Sequence, residues 1–520
     1  MSKIKYINGI YFTYAIICGA FSYVTFDTIL NCISVINILF GVCAALFIYI
    51  LLLFLDDLKD NHCFIGKIVK FLNHTATLAG VIVAAFRYWY MTHFLNYVIY
   101  YDTSSYADYE HNILRGEVDV FRTPVYPLFL KLIRKITGIF NGEADYYKAV
   151  VAAQIMISFV SVIIFYFALS KLFKNKWVIF SATLLFGCNP LIIQWDNCIL
   201  TESLSVFMTV FFLYIMLDYL KNPTKLEAIL MSLLSFCMVM LRPTFIYLFA
   251  ILGVFFVTRF ILYSKDRIKS VCGAISLIVA VCLTLGYCQL NKNTNGYFGI
   301  SSVSTTVNQL YIVMQNGITD NPDYPDITYY IEFGMEYSDN YIGDIIEPAG
   351  EIYGYTEIEN YVNGCIAANR DIYNEYTKNK FLDVIPQQMT VQYSVYNSEF
   401  ENFARADQLL LYSLFPFTFL SVFIIIAVTV AFAIGVLIVK RRILWQIIGI
   451  SAVAFSHIFV SIYGSMAEYQ RLSLMAVPCI IAIIFFFIDA AVGSMEKKTA
   501  SKRLDSYSLP VKIKNKEETQ

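Results

Sequence analysis

Apolar runs of roughly twenty residues recur along the chain, separated by short polar turns and by one long polar stretch. Twenty residues of helix rise about 30 Å, the thickness of a bilayer's hydrocarbon core. The pattern predicts about twelve spans, near 7–26, 30–55, 76–100, 147–170, 177–195, 199–220, 225–241, 244–262, 270–290, 408–439, 443–463 and 472–494. The fifth carries Asn189-Pro190 and is expected to break there. The seventh is short. Alternating strand-like segments are absent, which argues against a β-barrel. The first run resembles a signal peptide in length. A second apolar run follows at once with no small-residue cleavage site between them, so a retained first span is expected.

Basic residues decide the expected orientation. Lys3 and Lys5, Lys59, Lys67 and Lys70, Lys171 to Lys176, Lys221 and Lys225, Lys265 to Lys269, Lys440 to Arg442 and Lys497 to Arg503 all fall on one side of the predicted spans. That side reads as cytoplasmic, with both termini inside a plasma membrane. The 101–146 loop, the Gln194–Asn197 turn, the Arg242-Pro243 turn, the 291–406 stretch and the Gly464–Arg471 turn then face outward. The 291–406 stretch holds roughly sixteen acidic residues against five basic ones, with many tyrosines. It is too long and too aromatic for a linker and reads as a small ordered domain. The tail beyond Lys497 is polar and expected to be disordered.

Composition agrees: 520 residues, 58% hydrophobic, 17% aromatic and 15% charged, with a mean hydropathy of +0.61. These values exclude an ordinary soluble domain and describe an all-α polytopic membrane protein. A net charge of −1 gives no reason to expect a nucleic-acid partner. The twelve cysteines are scattered singly and the five histidines are isolated, so neither a zinc site nor a disulfide scaffold is expected.

Against this background the segment from Tyr100 to Lys135 is unusual. It crowds Asp102, Asp108, Glu110, Arg115, Arg122, Lys131, Arg134 and Lys135 between two apolar runs. Ser104 or Ser105 is expected to cap a short helix through His111, Asn112 and Ile113 that stops at Gly116. Pro124 and Pro127 suit the first turn of a second helix, PLFLKLIRKITG, lying in the interface with its cations toward the headgroups. Arg122 can grip a phosphate bidentately; Lys131, Arg134 and Lys135 serve equally well as solvated, snorkelling charges. Asp102 follows the aromatic run Tyr97 to Tyr101. Drying by those rings would raise its pKa and make it a better general base; the plain alternative is a solvated cap. Arg87 and Glu468 sit near or within spans, where charge is costly and points to pairing or function.

Four stretches together resemble the GT-C integral-membrane glycosyltransferases, in particular the protein O-mannosyltransferase-like and aminoarabinose-transferase-like groups. They are Asp102 with Tyr106, Gly116 and Arg122-Thr123-Pro124-x-Tyr126-Pro127; Asn189-Pro190 followed by Leu200-Thr201-Glu202-Ser203; Leu241-Arg242-Pro243; and Glu468-Tyr469-Gln470-Arg471 followed by Pro478. The resemblance covers about 76–290 and 464–480. It implies a GT-C-like catalytic membrane module in 76–290, an extracytoplasmic acidic loop domain in 291–406, C-terminal spans in 407–496 and a cytoplasmic tail in 497–520; two additional spans in 1–75 depart from the family pattern.

The function it implies is transfer of a sugar from a polyprenyl-phosphate donor, held in the membrane lipid, to an extracytoplasmic glycan, lipid or protein acceptor. Asp102 would act as general base in an inverting displacement. Arg122, Arg471 and then Arg242 would hold the donor phosphate, Asp196 or Glu202 would orient the acceptor or hold a cation, and Tyr106, Tyr126 and Glu468 would support them. The plain alternatives are Glu202 capping the sixth span with Thr201, and Arg242 as a turn residue at the interface. No cofactor is required by these residues, and a divalent metal is compatible with them. The rival readings are a polysaccharide or lipid-linked oligosaccharide transporter, a polysaccharide polymerase and a catalytically inactive scaffold. A transporter would favour charges lining several spans and repeated halves; a polymerase would favour arginines in the long loop, which is acidic here.

Overall fold

A computed structural model describes residues 10–17, 20, 48–49, 52, 67, 70–72, 74–93, 98–100, 102–140, 146–389, 413, 415–465, 468–495 and 509–510. The described chain is almost wholly helical. In order, the helices are α1 (Thr75–His93), α2 (Thr103–Ala107), α3 (Val125–Phe140), α4 (Tyr146–Leu172), α5 (Lys176–Gly187), α6 (Glu202–Lys221), α7 (Lys225–Leu241), α8 (Tyr247–Leu262), α9 (Arg267–Asn295), α10 (Asn308–Gln315), α11 (Pro325–Tyr337), α12 (Glu347–Tyr353), α13 (Tyr355–Ala368), α14 (Arg370–Val384), α15 (Phe419–Lys440), α16 (Trp445–Tyr463) and α17 (Val477–Met495). A two-residue antiparallel pairing joins Arg442–Ile443 to Leu509–Pro510.

Seven helical stretches are long and apolar enough to cross a membrane, and eight if a bent pair counts as one span. This is a multi-pass membrane protein. The bent pair is Lys176–Gly187 with Pro190–Asn197, turned by 43°. Its cause is the expected one: Asn189 leaves the helix, its side chain accepts from Leu191 N at 3.1 Å, and Pro190 starts the next turn. The predicted third and seventh spans are α1 and α7, with apolar stretches shorter than the other spans. The predicted first and second spans lie outside the described residues except for 10–17, 20, 48–49 and 52, and so does the tail except for 509–510. The count of twelve is therefore not reached among the described residues.

The apolar core runs through α4, α6, α8, α16 and α17. Many large apolar side chains on α8, α9 and α15, such as Val254, Ile261, Ile275, Ile424 and Ile438, are exposed. Lipid, rather than protein, is the natural partner for that surface. Helix ends follow local chemistry. Thr224 and Glu227 form a reciprocal capping box that starts α7. Gly187 has no room for a side chain, because a Cβ there would lie 2.5 Å from Val83 and 3.0 Å from Val162; α1, α4 and α5 meet at this point.

The basic turns gather at one end of the bundle. Lys171 pairs with Asp218 at 2.9 Å, Lys221 donates to Lys171 O at 3.4 Å, and Trp445 Nε1 donates to the Tyr263 hydroxyl at 2.9 Å. At the other end, residues 303–384 pack into a helical cap with its own apolar core around Leu310, Val313, Ile331, Ile345, Tyr361 and Cys365. The end of α9 and the link into the cap are stitched to the loop after α2. Thr294 and Asn295 donate to the carbonyls of Gly116 and Val118 at 2.9 and 2.8 Å. Ser301 Oγ donates to Phe121 O at 2.6 Å and Ser302 N to Val120 O at 2.9 Å.

That loop departs from expectation in one respect. The helix after Asp102 covers only Thr103–Ala107, with Ser104 and Ser105 inside it rather than capping it. Ile113–Arg115 is a separate 3-10 turn, closed by Gly116 at φ +80°. The second helix starts at Val125, directly after Pro124, as its prolines suggest.

Candidate active site

The cap and the end of the bundle enclose a cavity of about 1010 Å³. Asp102, Tyr106, Arg122, Arg242, Glu468 and Arg471 all line it. They come from four separate stretches of chain, and the folding of each stretch aims the side chain.

Asp102 sits in the turn before α2. Tyr100 N donates to Thr103 Oγ1 at 2.8 Å, and Thr103 Oγ1 donates to Ile199 O at 3.2 Å. Val98 also pairs in parallel with Cys198. This turn is thereby fixed against the 194–200 segment. The Asp102 carboxylate makes no cap hydrogen bond and turns to two arginines. Oδ1 lies 2.7 Å from Arg122 Nη2, and Oδ2 lies 3.6 Å from Arg471 Nη2.

Arg122 is held by its backbone and its side chain. Asp119 Oδ1 accepts from Phe121 N at 2.6 Å and Arg122 N at 2.7 Å, an Asx-type turn. The guanidinium lies 4.6 Å over the Tyr106 ring, and its Nε donates to Ser105 Oγ at 2.8 Å. Tyr106 packs edge-on against Tyr126 at 5.2 Å. Tyr126 is fully buried, and its hydroxyl donates to Gln154 Oε1 at 2.8 Å.

Arg471 is the hub. Its Nε lies 3.1 Å from Glu202 Oε1, Nη1 lies 3.0 Å from Glu468 Oε2, and Nη2 reaches Asp102. Its guanidinium lies 5.1 Å from the Tyr100 ring and 5.9 Å from Trp195. Tyr100 OH also donates to Glu468 Oε1. Glu468 adopts φ +58°, a left-handed conformation that costs a non-glycine residue about 1–3 kcal/mol and recurs at functional sites. Glu202, only 1% exposed, opens α6. There the helix dipole favours its charge, and Arg242 Nη1 lies 3.3 Å from its Oε1. Thr201 makes no side-chain cap hydrogen bond, so the simple capping alternative finds no support in the geometry.

Electrostatics reverse one expectation. Burial pushes the Asp102 carboxyl up, but Arg122 first and then Arg471 outweigh it and hold the group below the ordinary carboxylate value. The expected rise is therefore absent: the drying effect of the aromatic run is present, but two cations overcome it. The opposite holds for Glu347, at the start of α12 on the cavity wall. Burial pushes it up, Arg122 pulls it down, and the neighbouring carboxylates of Glu351 and Asp102 raise it; the net shift is upward.

Asp196 does not face the cavity. It is buried, with Oδ2 3.1 Å from Arg87 Nη1 and Oδ1 accepting from Ser203 Oγ at 2.7 Å. The 43° bend after Asn189 turns this segment inward. Lys131, Arg134 and Lys135 lie exposed on α3. None of the three is among the residues lining the cavity. Three lining residues were missed by the motif reading: Tyr100 as a partner of Glu468, Ser105 as a partner of Arg122, and Glu347. Only Tyr100 had a signal, its place in the aromatic run.

Among the described residues no three His, Cys, Asp or Glu side chains are grouped to hold a divalent ion. Asp102, Glu202 and Glu468 instead converge on a guanidinium, which already supplies a fixed positive charge at their centre.

No family model matches the chain, and no curated protein matches it. Solved structures do. The chain is similar to the Archaeoglobus fulgidus oligosaccharyltransferase in complex with zinc and sulfate, at 12% identity over 83% of this chain and 50% of that one, with a TM-score of 0.41. It is similar to the archaeal oligosaccharyltransferase AglB from Archaeoglobus fulgidus in complex with an inhibitory peptide and a dolichol-phosphate, at 12% identity over 83% and 51%, with a TM-score of 0.43. The apo form of the Archaeoglobus fulgidus enzyme gives 11% identity, the same coverage and a TM-score of 0.43. The chain spans about half the length of each.

Proposed function

We propose that the protein is a GT-C-type membrane glycosyltransferase that moves a sugar from a polyprenyl-phosphate donor to an extracytoplasmic acceptor. The observation that carries the reading is the meeting of Arg122, Arg242 and Arg471 with Asp102 and Glu468 in one cavity at the end of an apolar bundle, with buried Glu202 paired to Arg242 and Arg471. A lipid phosphosugar needs a membrane-level cavity, fixed cations for the phosphate and a polar space for the acceptor. Leu241, Pro243 and Thr244 line the cavity beside Arg242. The neighbouring Ile246 is exposed, giving a prenyl chain an apolar surface next to the cations.

The chemistry follows from the arginines. In a single displacement the acceptor atom attacks the anomeric carbon, the bond to the phosphate oxygen breaks, and configuration inverts. Negative charge grows on the departing phosphate, and preorganised cations in a dry site stabilise it most. Arg471 Nε and Nη1 are within ion-pair range of carboxylates but lack well-aligned hydrogen bonds. Those donors have bonding capacity left for an incoming phosphate, and apo contacts of this kind commonly tighten only with substrate present. Asp102 orients Arg122 and Arg471 and stays ionised across the physiological range. Its depressed pKa makes it a weak proton acceptor.

The test is reconstitution in nanodiscs with undecaprenyl-phosphate hexoses and a cell-envelope fraction as acceptor, following released undecaprenyl phosphate by mass spectrometry. Wild-type release that falls at least about 100-fold in Asp102→Asn, in line with the loss of one preorganised group, supports the reading. A wild-type protein that releases none removes it.

A further inference from the structure

We propose that Glu347, from the cap, is the group that takes the proton from the acceptor in this cavity. The inference rests on the transferase reading and assigns that reaction its general base.

Three geometric observations carry it. First, Glu347 lines the same cavity as Asp102 and Arg122. Second, no arginine pairs with it; among the cavity carboxylates it shares this with Asp108 and Glu110, from which its packing against the Arg122 turn distinguishes it. Asp102, Glu202 and Glu468 are each held by at least one arginine, and Asp119 is occupied by two backbone amides and His111. Among the described residues no ion pair is formed to Glu347. A carboxylate fully occupied by guanidinium hydrogen bonds is a poor base, whereas one facing open cavity can meet an incoming hydroxyl or amine. Third, its position is fixed relative to Arg122. The ring of Phe121, the residue before Arg122, packs edge-on against Tyr355 at 5.2 Å, and the Tyr355 hydroxyl donates to Glu347 O at 3.5 Å. The start of α12 is thus pinned to the turn that presents Arg122, and a cap residue becomes part of the site.

The step balances. The acceptor X–H bond breaks as X bonds to the anomeric carbon. The proton passes to a Glu347 Oε, and the electron pair of the anomeric C–O bond leaves on the polyprenyl phosphate. Glu347 then returns the proton to water in the cavity. The two acids divide the work: Asp102, tied to cations, holds them in place, while Glu347, lifted by burial and by Glu351 and Asp102 against the pull of Arg122, handles the proton. Carboxylates whose environments push their pKa values apart commonly take such separate roles.

The experiment uses the nanodisc-reconstituted full chain with two readouts: binding of undecaprenyl phosphate, and its release from undecaprenyl-phosphate hexoses. Glu347→Gln should bind undecaprenyl phosphate within about twofold of wild type, yet release it about 100-fold or more slowly, the usual contribution of a general base. Glu347→Asp should restore part of the rate. The acid limb of the wild-type rate profile, in which activity falls as Glu347 protonates, should be lost in the Gln variant; the charges facing it are Asp102, Glu351 and Arg122, with Tyr355 alongside. Release by Glu347→Gln within threefold of wild type overturns this assignment and leaves the transferase reading standing. No release by wild type overturns both.

Discussion

Two of the arginine–carboxylate clusters among the described residues differ sharply, and their contrast separates structure from chemistry. The Arg87–Asp196 pair is sealed: the two side chains are 4% and 2% exposed. Arg87 also donates to Gly187 O at 3.0 Å and Ser158 Oγ at 2.6 Å, and only its Nη2 is left without a partner. It ties α1, α4 and α5 to the turn before α6, and neither residue lines the cavity of the Arg471 cluster. The Arg471 cluster is the reverse. One guanidinium serves three carboxylates from three stretches of chain, at the wall of a large cavity, on a turn with a strained residue beside it. A closed pair has no bonding capacity to offer a ligand; an oversubscribed, open one does.

The comparison can be broken most decisively at the sealed pair. Arg87→Met leaves Asp196 buried without its cation, and breaking a buried pair typically costs about 3–5 kcal/mol. We expect a large drop in thermal stability in detergent, with turnover per folded molecule unchanged. A variant that melts normally but turns over slowly would mean that this pair belongs to the chemistry after all.

Arg471→Ala should do the opposite. Loss of one preorganised group facing developing charge commonly costs about 100–1000-fold in rate, so release of undecaprenyl phosphate per folded molecule should fall by that factor, while Arg242 and Arg122 remain to pair Glu202 and Asp102. Arg471→Lys should recover little, because an ammonium cannot present the planar fork that meets three carboxylates at once. Equal activity of wild type and the Ala variant would remove the hub from the mechanism.

Phe121→Ala sharpens the comparison from the side of the cap. An edge-on aromatic pair is worth about 0.5–1.5 kcal/mol beyond its buried area, so loosening Phe121 from Tyr355 should slow release by roughly tenfold at most. Undecaprenyl phosphate binding should hold, since the arginines stay in place. Weakened binding with an unchanged rate would place the cap on the donor rather than on the acceptor.

Much of the site was legible before folding, for a local reason. Asp102, Tyr106, Arg122 and Pro124 fall within one short loop, and charged residues between apolar runs stand out against a 58% hydrophobic chain. Helix type and most span positions were legible too, because hydropathy alone dictates them in a bilayer. What failed depended on distant partners or on register. The fate of Asp196 hinged on a 43° bend whose direction no local pattern gives. The pKa of Asp102 was misjudged because Arg122, twenty residues along the chain, and then Arg471 reach it only in the folded chain. Glu347 is one of many acids in the polar stretch; only the packing of α12 against the Arg122 turn distinguishes it.

The smallest effect concerns pH and tests whether the open cluster also contributes to the fold. Asp102 is held below its ordinary value by Arg122 and Arg471. A carboxylate with a depressed folded pKa adds stability that is present above the unfolded value, about 3.9, and is lost as pH falls through the folded one. Its side chain is 35% exposed, so solvent screening limits the gain to roughly 0.2–1 kcal/mol. The difference in melting temperature between wild type and Asp102→Asn should therefore be small, constant from about pH 8 down to about pH 5, and should close below about pH 4. A difference that closes near neutrality would show that Asp102 protonates there, which would return to it the proton-accepting role assigned above to Glu347.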